Sequence, residues 1–456
     1  MSVDICFAFR LLTRLITWPA RRAISAIKEL FAAFKEKTMN TTHQQSAPGD
    51  LDPDFGDGGI VELKFRDGTT LAASGLTLDP DGRIYVAGPA SEQRYGLARL
   101  NQNGRPDETF GTSGIVTGKF DTYTSWGMAV QIMPDGRLLL RGEVDINNVD
   151  YPALACFNVD GVLDTSFGTN GWVILRPPFF AGGISRRVHE RPYPSPVAIG
   201  RIHQGTICRI HTSGKILVSA YIGQEAAIVR LNNDGSLDTS FGGTGYIIPE
   251  AQKYGMWLGT IHDLSSKLIA AGSIQTNLEE VGYPFLIRYN ADASIDKNFG
   301  TGGRVTLENE PGQFSQLALT DQGKMVCIGY TLDTDKAMLV GMTQDGSPDL
   351  AFNNGDPVFT VADTGCAWLD GALVLGGQQI VVTGFTFGAH GTTLVGRFES
   401  DGRPDLSFGI AGLVTLDLGE HTLSGALAPQ ADRKIIVGGH VLRSLGNFGY
   451  VARLIG

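Results

Sequence analysis

The phrase that decides the fold begins at Leu51, where residues 51–61 read LDPDFGDGGIV. Six further copies follow: PDETFGTSGIV, LDTSFGTNGWV, LDTSFGGTGYI, IDKNFGTGGRV, PDLAFNNGDPV and PDLSFGIAGLV. Intervals of 55, 57, 74, 58, 53 and 56 residues separate the phenylalanines, so one repeat alone is irregular in length. Self-similarity at a nearly fixed period indicates a repeat architecture. The seven phenylalanines are Phe55, Phe110, Phe167, Phe241, Phe299, Phe352 and Phe408.

Two charged positions recur with the phrase. An aspartate precedes every phenylalanine by three residues: Asp52, Asp107, Asp164, Asp238, Asp296, Asp349 and Asp405. An arginine occupies a second repeat position in five of the seven units: Arg99, Arg230, Arg288, Arg397 and Arg453. Positions kept in every repeat serve contacts between neighbouring units, so we interpret both as structural. A charge-assisted Asp–Arg bond that ties turn to strand is the expected interaction.

Each repeat is predicted to contain four short strands. Turns such as DPDG and TSG precede β-branched runs such as RIYVAG and KILVSA, which is typical of hairpins. In the first repeat we expect strands at about residues 60–65, 72–78, 83–88 and 96–100, with no helical periodicity between them. Four antiparallel strands per repeat make one propeller blade. The predicted fold is therefore all-β, a seven-bladed β-propeller of four-stranded antiparallel blades.

The end of the chain predicts how the ring closes. The last repeat stops at YVARLIG, just before the place of another F-G-x-x-G-x-V strand. The N-terminal copy of that strand is the obvious substitute, and its pairing with the last repeat leaves no open sheet edge.

The phrase LDxxFGxxGxV, the x-DG-[RK] turn after it and the strand L-A-R-L-N-x-D-G together resemble the bacterial delta-60 repeat family over residues 51–456. The resemblance implies a propeller-like repeat protein of largely unestablished activity. The chain departs from the pattern at Cys156 and Gly341, where arginine is expected, at Asn353, where glycine is expected, and in the turn at Gln378 and Gln379.

Composition narrows the class of protein. With 42% hydrophobic and 18% charged residues the chain is predicted to fold around a packed core. The net charge of −10 argues against nucleic acid as a partner. Five scattered cysteines, none spaced as C-x-x-C, suggest neither a disulfide framework nor a zinc site, and favour free thiols in the cytoplasm.

The N-terminal 38 residues differ from the repeats. They are apolar and basic, with seven Lys/Arg against three Asp/Glu, and Arg10 and Arg14 interrupt the apolar run. They match neither a transmembrane span nor a secretory signal. A basic amphipathic helix on a membrane surface is one interpretation. The other, which we favour, is a start of translation at Met39, followed by a polar leader (39–50) and the propeller (51–456).

The irregular interval comes from an insertion at residues 176–205, RPPFFAGGISRRVHERPYPSPVAIGRIHQG. It carries five arginines against one glutamate, together with aromatic residues and five prolines. Insertions in loops are frequent sites of binding, although a solvated loop without a ligand has the same composition. The candidate ligand-binding residues are Arg186, Arg187, His189, Arg191 and Tyr193.

Motifs of catalysis are missing from the sequence. It contains no H-E-x-x-H, G-x-S-x-G or phosphate-loop pattern, and its Asp-rich turns lack the spacing of a calcium loop, so no cofactor, metal or catalytic residue is predicted. We expect a non-enzymatic scaffold that binds a protein or an acidic polymer. The alternative is a propeller hydrolase or lactonase with a metal in its central channel, for which the candidate ligands are His262, Asp263, Asp370 and His421.

Overall fold

The computed structural model describes residues 46–176, 208–222, 225–249, 255–264, 266–275, 282–320, 322–443 and 447–456. These residues form seven sheets of four antiparallel strands each. The prediction of a seven-bladed β-propeller with four-stranded antiparallel blades is confirmed. None of the helices in this described part of the chain is long and apolar enough to cross a membrane.

The strands follow one another in chain order from the first blade to the last. Strand β1 (Ile60–Glu62) comes first, and blade 1 then consists of β2 (Gly75–Leu78), β3 (Ile84–Ala90), β4 (Arg94–Leu100) and β5 (Ile115–Gly118). Blade 2 consists of β6 (Ser125–Ile132), β7 (Leu138–Asp145), β8 (Asp150–Phe157) and β9 (Trp172–Ile174). Blade 3 consists of β10 (Cys208–Ile210), β11 (Ile216–Ile222), β12 (Glu225–Leu231) and β13 (Tyr246–Ile247).

The remaining four blades repeat this arrangement. Blade 4 consists of β14 (Met256–Asp263), β15 (Lys267–Ile274), β16 (Tyr283–Asn290) and β17 (Arg304–Thr306). Blade 5 consists of β18 (Gly312–Leu319), β19 (Met325–Thr331), β20 (Ala337–Met342) and β21 (Val358–Thr360). Blade 6 consists of β22 (Cys366–Val374), β23 (Gln379–Thr386), β24 (Thr393–Glu399) and β25 (Leu413–Leu416). Blade 7 consists of β26 (His421–Pro429), β27 (Ile435–Leu442), β28 (Phe448–Leu454) and β1.

Blade 7 is built from both ends of the described chain. Strand β1 pairs antiparallel with β28, and Ile60, Val61 and Glu62 lie opposite Ala452, Val451 and Tyr450. The fourth strand of this blade therefore comes from the first copy of the repeated phrase, while its other three strands come from the last 36 residues of the chain.

The core lies between the blades. The middle strands read as continuous apolar runs, such as Ile84–Ala87 in β3, because both faces of each blade are covered by its neighbours. In one such cluster Tyr85 of blade 1 packs with Val130 and Leu138 of blade 2. The side chain of the phrase phenylalanine is buried in all seven repeats.

The glycines of the phrase are explained by backbone conformation. The last glycine of each F-G-x-x-G has a φ angle between +87° and +98°, as at Gly59 (+97°) and Gly412 (+87°). Side chains other than glycine rarely adopt this region. The glycine directly after the phenylalanine is also left-handed, and its substitute Asn353 has a φ of +46°. Asparagine tolerates this conformation, which accounts for the departure from the repeat pattern at that position.

The strand bounds in the first repeat differ slightly from the expected ones. Strand β1 ends at Glu62 and β2 begins only at Gly75, since the chain between them turns: the amide of Phe65 donates to the carbonyl of Thr69 at 2.9 Å. Strand β3 extends to Ala90, two residues beyond its expected end. The number and order of the strands are unaffected.

Candidate functional site

The recurrent aspartates and arginines form a set of buried ion pairs. The Nε atom of each arginine donates to the aspartate of its own blade at 2.7–2.8 Å. The five pairs are Arg99–Asp107, Arg230–Asp238, Arg288–Asp296, Arg397–Asp405 and Arg453–Asp52. They lie at the end of the blades that carries the connections from third to fourth strand, which we call the brace end. The opposite end, where first strands begin and fourth strands end, is the loop end.

Each of these guanidinium groups also contacts an aromatic ring, and four of them contact the next blade. It stacks over the phrase phenylalanine at 4.4–4.9 Å from the ring centroid, a cation–π contact. In four repeats it donates to a carbonyl oxygen of the next blade, as Arg99 Nη1 does to Val159 at 2.6 Å and Arg453 Nη1 does to Gln102 at 2.5 Å. The arginine therefore joins its own blade to the following one.

The two repeats without the arginine use another cation. In blade 2, where Cys156 takes its place, Arg137 donates to Asp164 at 2.8 Å and to the carbonyl of Asn233 in blade 3 at 3.0 Å. In blade 5, where Gly341 takes its place, Lys324 donates to Asp349 at 2.8 Å. The phrase phenylalanine, Phe352, packs so closely on Gly341 that a Cβ there would collide with it. Both substitutes come from the turn between first and second strand, and neither was identified from the sequence.

These contacts hold the aspartates in their ionised form. Burial favours the neutral acid at Asp238, but hydrogen bonds from Ser240 and Lys215 and the charge of Arg230 outweigh it and lower the pKa to about 2. The pKa of Asp164 is lowered first by the hydroxyl of Ser166 and then by Arg137, against burial. All seven recurrent aspartates have a lowered pKa.

The central channel is the other place where polar groups converge. A cavity of about 390 Å³ is lined by the first strands of the blades. Strand pairing defines a layer of equivalent channel positions, one per blade: Thr77, Gln131, Arg209, His262, Ala318, Ala372 and Ala428. A second layer lies two residues earlier: Gly75, Ala129, Thr260, Gln316, Asp370 and Ala426. Most of these residues are small, and the polar exceptions are concentrated in blades 2 to 6.

The polar exceptions form a chain of contacts across the channel wall. Arg209 Nη2 lies 3.3 Å from both His262 Nε2 and Gln316 Oε1. Thr260 donates to the same Gln316 oxygen at 2.8 Å, and Gln316 Nε2 donates to Asp370 Oδ1 at 2.9 Å. The chain thus runs through blades 3, 4, 5 and 6. It reaches blade 7 where the amide of Leu427 donates to Asp370 Oδ2 at 2.9 Å.

Blade 2 is connected to this series of contacts by a hydrogen bond from a side chain to the backbone of blade 3. Gln131 Nε2 donates to the carbonyl of Cys208 at 2.7 Å, directly before Arg209. The side chain of Gln316 is therefore the central member of a chain that connects six consecutive blades at the channel.

Burial changes the ionisation of the channel groups. It raises the pKa of Asp370, against the opposing effects of hydrogen bonds from Gln316, Leu427 and Gly371. Burial also lowers the pKa of His262 well below its ordinary value, and the charge of Arg209 lowers it further. The imidazole is thus neutral at pH 7, while the guanidinium stays charged because arginine does not deprotonate in proteins.

The structure brings together only two of the four residues considered for a channel metal. His262 and Asp370 line the cavity, and Gln316 bridges them. Asp263 ends β14, outside the cavity lining. His421 begins β26 near the loop end, where its ring stacks on His390 at 6.5 Å between centroids. Within the described ranges, no group of three or more His, Cys, Asp or Glu residues is placed to hold a metal ion.

The candidate binding residues of the insertion, Arg186, Arg187, His189, Arg191 and Tyr193, lie outside the described residues. Of the insertion itself, the structure describes Arg176 alone. Arg176 follows β9 and its guanidinium lies 5.8 Å from the ring centroid of Tyr123 and 6.0 Å from that of Tyr151. The chain returns at Cys208, the first residue of β10. A fourth strand ends and a first strand begins here, so the described residues on either side of the masked segment lie at the loop end.

Arg209 and Gln316 were missed in the sequence analysis. A signal existed, since aligning the repeats on their basic turn residue places Arg209 at the position of Ala318 and Ala428, and Gln316 at the position of Gly75, Ala129 and Ala426. At both positions a large polar residue replaces the small residue that these other repeats carry. Finding them from sequence requires knowing which face of the first strand points into the channel.

Comparison with known proteins agrees with the architecture. Residues 80–110, 134–167 and 211–241 match a family model described as a domain of unknown function (DUF5122) beta-propeller. The chain is a β-propeller repeat protein. No curated protein is significantly similar to it.

Several solved structures are similar to the chain at low sequence identity. The polysaccharide lyase Uly1 is 11% identical, with a TM-score of 0.44 over 84% of this chain and 90% of that one. The β-propeller domain of the trilobed protease from Pyrococcus furiosus is 8% identical, with a TM-score of 0.39 over 82% and 90%. Extracellular domains 1–2 of Drosophila semaphorin 1b are 9% identical, with a TM-score of 0.42 over 90% and 88%.

Proposed function

We propose that the protein is a non-enzymatic binding scaffold, a braced ring that presents its loop end and the insertion at residues 176–205 to a protein or an acidic polymer. The position of the insertion carries the proposal. Its first residue, Arg176, and the next described residue after it, Cys208, lie at the loop end, whereas the ion pairs that join the blades lie at the brace end. Binding at the loop end leaves the braces undisturbed.

The charge of the insertion indicates the chemistry of the partner. Five arginines and one glutamate make this segment basic in a chain whose net charge is −10. Guanidinium groups form bidentate, charge-assisted hydrogen bonds with carboxylates. An acidic polymer or an acidic protein surface is therefore the partner that we assign to Arg186, Arg187 and Arg191, with His189 and Tyr193 as further contacts. Nucleic acid is not part of the proposal, because the ring is acidic.

The test uses a defined acidic polymer and the full chain. Fluorescently labelled polyglutamate is titrated with wild-type protein and with the triple variant R186S/R187S/R191S, and binding is followed by anisotropy. The control R66S/R105S/R403S removes the same number of charges at exposed positions on the ring. We expect binding that weakens with salt and is lost in the first variant only.

A second arm of the test addresses a protein partner. Wild-type and triple-variant protein capture partners from native extract, which are quantified by mass spectrometry. A single acidic protein that is captured by the wild type and the control but not by the insertion variant supports the proposal. Equal capture by all three folded proteins, together with no binding of polyglutamate, contradicts it.

A second candidate function, a hydrolase or lactonase with a channel metal, is favoured by one observation. His262 and Asp370 line the same cavity and are bridged by Gln316. Elemental analysis of the purified full chain tests it. One equivalent of a divalent metal that is lost in His262→Gln supports this function, and a folded protein that takes up no metal from zinc- or calcium-containing buffer contradicts it.

The proposal extends to family and location. We assign the chain to the delta-60 repeat family on the seven copies of the phrase and on the recurrent Asp and Arg positions. A cytoplasmic location is supported by the cysteine pattern of the sequence. Residues 1–38, which lie outside the described residues, are proposed to precede the native start at Met39. The intact mass of the native protein tests that start site.

A further inference from the structure

Arg209 is a half-buried cation, and its hydrogen-bond partners among the described residues are neutral groups. Its Nη2 atom has two partners, the neutral imidazole of His262 and the amide oxygen of Gln316. Its Nε atom is buried and has no hydrogen-bond partner among the residues that the structure describes. Removing a charged group from water is expensive unless a counter-charge and hydrogen bonds compensate for it. The guanidinium therefore has no hydrogen-bonded anion among the described residues, and binding an anion would stabilise it.

The carboxylate of Asp370 does not form a hydrogen-bonded pair with Arg209. Asp370 is the one acidic residue among the described residues that line the cavity, and it accepts hydrogen bonds from Gly371, Leu427 and Gln316 at 2.9 Å each. Both of its oxygens are thus engaged with neutral donors. Gln316 lies between Asp370 and Arg209 and contacts both.

The cavity provides room for a ligand beside the guanidinium. Its volume of about 390 Å³ lies in the range of small-molecule sites, and most of its other lining residues are small or aliphatic. The cavity lies on the propeller axis, where the first strands of the blades surround it. The lining surface of the cavity is more polar than apolar, which suits a small polar ligand rather than an apolar one.

We propose that the central channel binds a small monocarboxylate, whose carboxylate group pairs with the guanidinium of Arg209. Arginine is suited to this role because its planar fork matches the two oxygens of a carboxylate. A single negative charge matches the single cation of the described lining, whereas the second charge of a phosphate dianion would have no cation in that lining to pair with. The proposal concerns the channel and is independent of the insertion at residues 176–205.

The test measures ligand binding to the full chain by isothermal titration calorimetry. Acetate and lactate are the probes, inorganic phosphate is the comparison, and all titrations are carried out at the same ionic strength. We expect the monocarboxylates to bind and phosphate to bind more weakly. In Arg209→Gln the monocarboxylate affinity is expected to fall by about tenfold or more, which corresponds to the loss of one charge-assisted interaction.

A second variant separates loss of the ligand site from loss of folding. Ala372→Leu keeps every charge but fills part of the channel at the same level as Arg209, and it is also expected to abolish binding. Its control, Ala389→Leu, adds the same side chain at an exposed position in a loop. Circular dichroism establishes that each variant is folded.

Either of two results overturns the proposal. One is a wild-type protein that binds neither probe at up to about 10 mM, which is sufficient to detect millimolar dissociation constants. The other is binding that persists in both folded channel variants, because the carboxylate site then lies elsewhere. Binding that is lost in Arg209→Gln and in Ala372→Leu, but kept in Ala389→Leu, supports it.

Discussion

The guanidinium of Arg453, three residues from the C-terminus, donates to the carboxylate of Asp52 at 2.7 Å, although 401 positions separate the two residues in the sequence. The same two repeat positions pair within single repeats elsewhere, eight residues apart, as in Arg288 and Asp296. Only in blade 7 does the pair join the two ends of the chain. It acts there together with the pairing of β1 and β28.

Replacing Arg453 by alanine is expected to lower the free energy of unfolding by about 2–4 kcal/mol, because Asp52 then keeps only the ammonium of Lys434, at 3.0 Å, as a cationic partner. Urea denaturation measures the loss. The exposed Arg433 serves as control, and its replacement by alanine is expected to change stability by less than about 0.5 kcal/mol. Equal stability of the two variants would show that this ion pair does not hold the ends together.

Arg137 should matter more to stability than the residue at the same turn position in blade 1. Arg137 contacts Asp164 in its own blade and Asn233 in the next blade. Arg83 pairs only with aspartates of its own turn, Asp79 and Asp81. We expect Arg137→Ala to cost about 2 kcal/mol, since it leaves Asp164 without a cation. Thermal unfolding of both alanine variants provides the comparison. A larger loss for Arg83→Ala contradicts the inferred role of Arg137.

The fold was predictable from sequence because its determinants are local and repeated. The left-handed glycines, the buried phenylalanine and the Asp–Arg pair recur in register, so seven copies give the same signal several times. The repeat pattern could not predict which residues replace the arginine in the two repeats that lack it. That Arg137 and Lys324 take over at Cys156 and Gly341 depends on distances between strands, which a repeat pattern does not contain.

The polar contacts of the channel were less predictable from sequence, because they too depend on distances between strands. His262 and Asp370 were candidates from their chemistry alone, but the sequence does not place them in one cavity or show that Gln316 bridges them. Arg209 and Gln316 stand at repeat positions where several other blades carry small residues, in strands of which only one face meets the channel. The residues that make contacts between blades are 53 and 54 positions apart, and these contacts follow from the packing of adjacent blades rather than from any local motif.

Stability should fall as the pH decreases below neutrality because of His440. This side chain is 7% exposed in β27, and burial lowers its pKa to about 4. An unfolded histidine takes up a proton near pH 6.5 while the folded one stays neutral, so stability is lost between pH 7 and pH 4. From pH 8 to pH 5 this amounts to about 2 kcal/mol. Denaturation of His440→Gln over the same range should give a shallower pH profile than wild type, and parallel profiles contradict the assignment.

Gln316 is the last position at which the structure makes a sharp prediction. Gln316→Met preserves the volume but removes the donor to Asp370 and the acceptor for Thr260 and Arg209, so we expect a loss of about 2 kcal/mol at pH 7. Burial already raises the pKa of Asp370, and losing the hydrogen bond from Gln316 raises it further. The substitution therefore destabilises the folded protein mainly when Asp370 is ionised. The loss should therefore shrink when acidification protonates Asp370. Urea denaturation at pH 7 and pH 5 measures this, with Gln313→Met on the same strand as the matched control. A loss that is independent of pH would show that Gln316 contributes packing rather than a hydrogen bond to the buried carboxylate.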